Sequence, residues 1–172
     1  MRYDVAPAPG TEREIGVLLA TWQDGTREWL DNLGEPTAEA LTWQPFEGGP
    51  SIGGIMLHMA GCDHYWISEF VNNRPQDPEN PALQYNNKVD QDSVSWPTPP
   101  AEPFAWYLNQ LQSVRGPVVE QILSHPEPNQ EFQRTWGALT FKWIVAHLVE
   151  HDSYHGGQCV LLHELWKKTQ AK

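Results

Sequence analysis

Apolar residues recur along this 172-residue chain at the three- and four-residue steps of an α-helix in four separate stretches. In the first, Ile15, Leu18, Leu19, Trp22, Thr26, Trp29, Leu30 and Leu33 keep the period; Thr11 and Glu14 form a capping box ahead of it and Gly34-Glu35-Pro36 stop it. The second opens at Ser51, a residue suited to an N-cap. It carries Ile52, Ile55, Met56, Met59, Trp66, Ile67, Phe70 and Val71 before Asn72, Asn73 and Pro75 end it. The third runs from about Pro103 to Ser124 with Phe104, Leu108, Leu111, Val118 and Ile122 inward. Gly116-Pro117 lies within that pattern, so a kink or a later true start is expected there. The fourth spans about Thr140 to Lys168 on a stripe of Phe141, Ile144, Val145, Leu148, Cys159, Leu162 and Trp166.

Between the second and third stretches, residues 74 to 103 hold seven prolines. A segment that long inside a domain reads as a crossover between helix ends, here one that also covers an end of the bundle. Strand signals are weak; only a short run such as Gln133 to Phe141 has the makings of a local pairing. The expected class is all-α, one domain over residues 1–172.

Composition narrows the functions. The formal charge is −11 with only 11 Lys and Arg, which argues against nucleic acid and an anionic membrane surface as partners. Met1 to Gly10 lacks the apolar core of a signal peptide and no window approaches a membrane span, so a cytoplasmic address is the default. Cys62 and Cys159 are too few for a disulfide scaffold and read as reduced. Nine tryptophans need burial or a cavity to line; Trp43, Trp66, Trp96, Trp136 and Trp143 are candidates for the walls of an apolar cleft, although a Trp at helical spacing is more often plain core.

The chemistry lies in the histidines. On the fourth helix His151 and His155 are spaced i, i+4, so their rings share a face about 6 Å apart, a geometry that lets two ring nitrogens converge on one ion. They fall roughly 60° and 20° from the centre of the apolar stripe. Burial with ordinary hydrogen-bond partners explains such a pair about as well. His147 lies roughly 100° off the stripe, at its flank, while Asp152 is nearer, at roughly 40°, able to orient a ligand or take a proton. Gln158 is one turn beyond His155, placed to touch a bound ligand; Glu150 reads as a solvated surface charge, His163 as partly exposed and His125 as a loop residue. On the second helix, periodicity does not choose between His58 and His64, though His64 falls toward the solvent face. Each cysteine follows a histidine by four residues, and both read as small core groups too far apart for a disulfide.

Two runs carry a family resemblance: Leu41-Thr42-Trp43-Gln44-Pro45 with Ser51-Ile52-Gly53 and Leu57-His58, and His147-Leu148-Val149-Glu150-His151 with Tyr154-His155-Gly156-Gly157-Gln158. Together they resemble the DinB-like (YfiT-like) proteins over nearly the whole chain. The resemblance implies a four-helix bundle with a long crossover between helices 2 and 3, and a divalent metal, zinc or nickel first and iron or manganese next, on His58, His151 and His155. Asp152, Gln158 and His147 are then candidates to support that site. Many members carry Arg after the last histidine, where this chain has Gly156, and the Gly156-Gly157 pair calls for close backbone packing or local irregularity. Characterised relatives transfer low-molecular-weight thiols, so the resemblance implies a metal-dependent S-transferase acting on a small-molecule electrophile; a metal-dependent hydrolase and a non-catalytic metal-binding bundle are the alternatives. It also makes a homodimer the expected assembly, although no pattern in the sequence specifies one.

Overall fold

The computed structural model describes residues 4–7, 10–90, 95–125 and 127–171. Four long helices are α1 (Arg13–Leu33), α3 (Ile52–Asp63, prolonged by a π-helical stretch His64–Val71), α5 (Phe104–Ser124) and α6 (Phe141–Gln170). Two short helices, α2 (Ala38–Thr42) and α4 (Pro81–Asn86), lie in the connections, and a hairpin of β1 (Glu131–Arg134) and β2 (Gly137–Thr140) leads into α6. The all-α class holds. The hairpin realises the weak pairing signal, in antiparallel register from Glu131 opposite Thr140 to Arg134 opposite Gly137.

Side-chain contacts fix the helix directions. Glu14 meets Lys142, Thr26 meets Asp152 and the Leu33 carbonyl meets His163, so α1 and α6 run parallel. Asp63 meets Arg115 and Ser68 meets Gln121, so α3 and α5 run parallel as well. Against α6, α3 is antiparallel: Ile52 lies by Cys159 at one end and Trp66 by His147 at the other. A parallel α3–α5 pair obliges the chain to travel back along the bundle between them. Residues 74 to 103 make that return, pinned by α4 and by Tyr85 Oη, which donates to the Pro97 carbonyl at 2.7 Å.

Several local expectations need correction. The α1 N-cap is Glu12, whose carboxylate accepts from the Ile15 amide at 3.0 Å, and Glu14 of the expected capping box reaches across to Lys142 instead. Ser51 does cap α3, accepting from Gly54 N. Helix α5 neither starts late nor breaks at Pro117: Gly116 and Pro117 sit on its exposed face, where the proline ring costs one backbone hydrogen bond without disturbing the core. The periodic stripe assumed for α3 misdescribes it, since all twelve residues from Ile52 to Asp63 are buried. A helix covered on every side is a central one. The α3 side chains Ile52, Ile55, Met56, Leu57, Met59 and Ala60 share one buried cluster with Leu41, Leu83, Tyr107, Ile122, Phe141 and Leu148. Among the described residues no helix is long and apolar enough to cross a membrane.

Candidate metal centre

Where α3 passes α6, three imidazoles meet. Ring centroids of His58 and His151 are 5.2 Å apart, those of His58 and His155 5.1 Å, and those of His151 and His155 4.4 Å. The i, i+4 spacing on α6 brings the last pair together, and the antiparallel crossing delivers His58 from the other side. Ligand atoms of His58, Cys62 and His151 all lie within 4.8 Å of one another; His155 stands outside that tightest group but edges both histidine rings.

Hydrogen bonds select the tautomers of two of these rings. His58 Nδ1 lies 2.7 Å from the Asn86 side-chain oxygen, and His155 Nδ1 lies 2.7 Å from the Gln158 side-chain oxygen. An amide oxygen only accepts, so each Nδ1 carries the proton and each Nε2 carries a lone pair, that of His58 facing the Cys62 thiol at 3.6 Å. Ligating histidines are ordinarily held in this way through their second ring nitrogen. Asn86 reaches His58 because α4 packs against α3 at Gly61, where a Cβ would come within 2.3 Å of the Asn86 side chain. His151 differs: its Nδ1 is buried without a protein partner. An orphaned imidazole nitrogen beside two lone pairs is a polar deficit that a bound cation fits.

The electrostatics agree. Burial lowers the His58 pKa to about 4 despite the opposing bond from Asn86. Burial, with the neighbouring His155, His58 and His147, drives His151 down to about 2. His155 is lowered too, chiefly by burial. All three are therefore neutral at pH 7, the protonation state that a metal requires of imidazole. Burial, with Asp63 adding to it, pushes the Cys62 thiol up to about 12.

A cleft of about 420 Å³ opens onto this cluster, walled by Tyr65, Trp66, Val89, Trp96 and His147. Trp96, carried on the crossover, meets the His58 ring edge-on at 5.0 Å. His147 stacks on Trp143 at 5.2 Å and lies 6.1 Å from His151, half-buried at the cleft wall. Of the tryptophans proposed as walls, Trp66 and Trp96 line the cleft and Trp143 backs His147, whereas Trp136 is 64% exposed and Trp43 packs against the core. The π-helical turn that begins at His64 sets Tyr65 and Trp66 toward the cleft.

Other sequence-derived roles change. Asp152 is buried but faces the opposite direction from the cluster, accepting from Thr26 Oγ1 and Trp29 Nε1 and pairing with Arg115 at 2.7 Å. Cys62 is no plain core group, since its sulfur lies 3.6 Å from His58 Nε2; Cys159 is, with its sulfur 3.9 Å from the Ile52 carbonyl oxygen, and both thiols are free. His163, expected to be partly exposed, is buried with Nδ1 2.9 Å from the Leu33 carbonyl oxygen, where it closes the end of α1. His64 is half-buried against Glu69, His125 stacks on Phe141, and Glu150 is exposed. Gly156 does mark close packing, because a Cβ there would come within 2.3 Å of Trp29; Gly157 faces open space and α6 runs through both without a break. Asn86 and Arg115 went unnoticed in the sequence. No local signal could have found Asn86, which depends on where a proline-rich crossover lands.

Replacing Asn86 with Leu removes the acceptor that fixes the His58 tautomer while keeping comparable bulk. Metal affinity is expected to weaken on the order of 10- to 100-fold, read by competition with a chromophoric chelator; unchanged affinity would show that Asn86 plays no part in presenting His58.

The DinB family model matches residues 10–166. The chain is also similar to the uncharacterized protein YkkA of Bacillus subtilis (strain 168), 25% identical over 128 residues that span 71% of this chain and 70% of that protein.

Proposed function

Starting from the fact that this chain belongs to the DinB family, we propose that it is a metal-dependent enzyme that transfers a low-molecular-weight thiol to an apolar electrophile, with His58, His151 and His155 as the ligands. The observation that carries the reading is the convergence of three neutral imidazoles, two with tautomers fixed and one with an orphaned nitrogen, at the floor of an aromatic cleft. Three imidazoles suit zinc or nickel and leave a coordination position open, the mark of catalytic rather than structural sites. A divalent ion held there supplies Lewis acidity, which keeps a thiol ionised at neutral pH.

The protein's own groups do the rest. Asn86 and Gln158 hold two rings in the ligating orientation. Trp66, Trp96, Val89 and Tyr65 exclude water and bind an apolar or aromatic electrophile by its faces. His147, in the cleft but outside the triad, is lowered by burial and so is neutral and able to accept the thiol proton. A sulfur–carbon bond forms, the leaving group departs with the bonding pair, and the proton passes from His147 to solvent.

A second reading has its own support. Cys62 stands 3.6 Å from His58 Nε2, about the spacing of a sulfur and a nitrogen on one tetrahedral zinc, so a set including Cys62 would close the site and make it structural. Elemental analysis of untagged protein beside His155→Ala, followed by a panel of thiols with aromatic electrophiles, separates the two. About one equivalent of transition metal, lost in the variant, with metal-dependent turnover of any pair supports the enzyme. Bound metal with no turnover, and an absorption band from sulfur to cobalt after cobalt substitution, supports the closed site; no metal even after reconstitution sinks both.

A further inference from the structure

Behind the histidines, on the side away from the cleft, the four long helices meet at one largely buried guanidinium, its side chain 14% exposed. Arg115 of α5 donates from Nε to Asp63 Oδ2 on α3 at 2.8 Å, pairs through Nη2 with Asp152 Oδ1 on α6 at 2.7 Å, and donates from Nη1 to Thr26 Oγ1 on α1 at 3.0 Å. Its face lies 4.6 Å over the Trp22 ring. The other carboxylate oxygen of Asp152 accepts from Thr26 Oγ1 at 2.8 Å and from Trp29 Nε1 at 3.0 Å, and Trp29 is itself wedged against Gly156. Both carboxylates are about 1% exposed.

Such a cluster is a poor way to gain stability. Desolvating three charges offsets most of their attraction, and well-packed apolar groups of the same volume commonly serve as well or better; the attested use of a buried ionic group is to fix register. Here the register concerned is that of the metal site. Asp63 directly follows Cys62 and lies five residues after His58, and Asp152 directly follows His151. A slip of α3 along α6 that spoils the imidazole cluster would also pull one carboxylate off the planar fork of Arg115, which alone among side chains offers two rigidly related donor edges.

We propose that Arg115 is a positioning residue for the metal centre: by clamping Asp63 and Asp152 with one guanidinium, it locks α3 against α6 at the depth where His58 meets His151 and His155. The inference rests on the ligand assignment proposed above, and it concerns binding rather than turnover.

Two variants test it. Arg115→Lys keeps the charge but reaches only one carboxylate well. The triple variant Arg115→Met, Asp63→Asn, Asp152→Asn leaves no buried charge unpaired, so it folds even if the lysine variant does not. Zinc dissociation constants by chelator competition are measured beside the unfolding temperature of the metal-free proteins. The expected result is zinc binding weakened at least tenfold in each folded variant, with the triple variant unfolding at or above the wild-type temperature. Lower stability with unchanged zinc affinity makes the network structural only and overturns the proposal. Wild-type protein that takes up no zinc overturns the ligand assignment and this inference together, whereas wild-type binding with unaltered variants overturns this inference alone.

Discussion

Adding zinc at about a thousand times its dissociation constant to metal-free protein is expected to raise the unfolding temperature by about 10 °C. A ligand that binds only the folded state stabilises it by about 4 kcal/mol at that excess, and each kcal/mol moves a chain of this size by roughly 2 to 4 °C. His151→Ala should lose about two thirds of that shift at the same zinc concentration. With structural zinc sites giving about 10 kcal/mol or more, one imidazole of three carries roughly 3 kcal/mol, on the order of a hundredfold in affinity. His147→Ala should keep the shift, because His147 stands 6.1 Å from His151 and outside the triad, yet lose turnover if it receives the thiol proton. Differential scanning fluorimetry of the three proteins decides the matter: a His151→Ala variant with the full shift would mean that zinc binds elsewhere.

What the sequence disclosed divides along physical lines. The amphipathic helices α1, α5 and α6 were legible because each has one wet face, which periodicity records. Helix α3 was not, because a helix buried all round has no wet face; this is also why spacing could not separate His58 from His64. The pair His151 and His155 was visible because both lie on one helix, as do His58 and Cys62, whereas Asn86 and Arg115 come to the site or its rear by long-range packing. Asp152 shows the reverse error. Its wheel angle placed it near the apolar stripe, and it is buried, but on the flank that meets α1 and α5 rather than the flank that meets α3.

Gly156 shows how such long-range packing enters a local sequence. The backbone of α6 approaches Trp29 so closely that any side chain is excluded, and Trp29 in turn holds Asp152. Any side chain at this position would require α1 to stand further off. The guanidinium that pairs with Asp152 comes from α5.

Acidification should unmask the buried histidines of the metal-free protein. The folded-state pKa of His58 is depressed to about 4, while the unfolded chain titrates near 6.5. Between those values the unfolded state binds the proton and the folded state does not, so stability from this residue is complete above about pH 6.5 and falls as pH drops toward 4. The shift corresponds to about 3 kcal/mol. His151 and His155 act in the same sense, but Asp63 opposes them: burial raises its carboxyl to about 7 against the pull of Arg115, so it favours the folded state as pH falls below 7. The wild-type profile alone therefore mixes two slopes. The difference between wild type and His58→Gln isolates one of them, and by urea denaturation the stability of wild type relative to the variant is expected to fall by about 3 kcal/mol from pH 7 to pH 4. A difference that stays flat across that range would mean that the imidazole takes a proton as readily folded as unfolded. His58 would then be solvated rather than held against Asn86, and the proposed metal centre would lack the fixed tautomer that it requires of this ring.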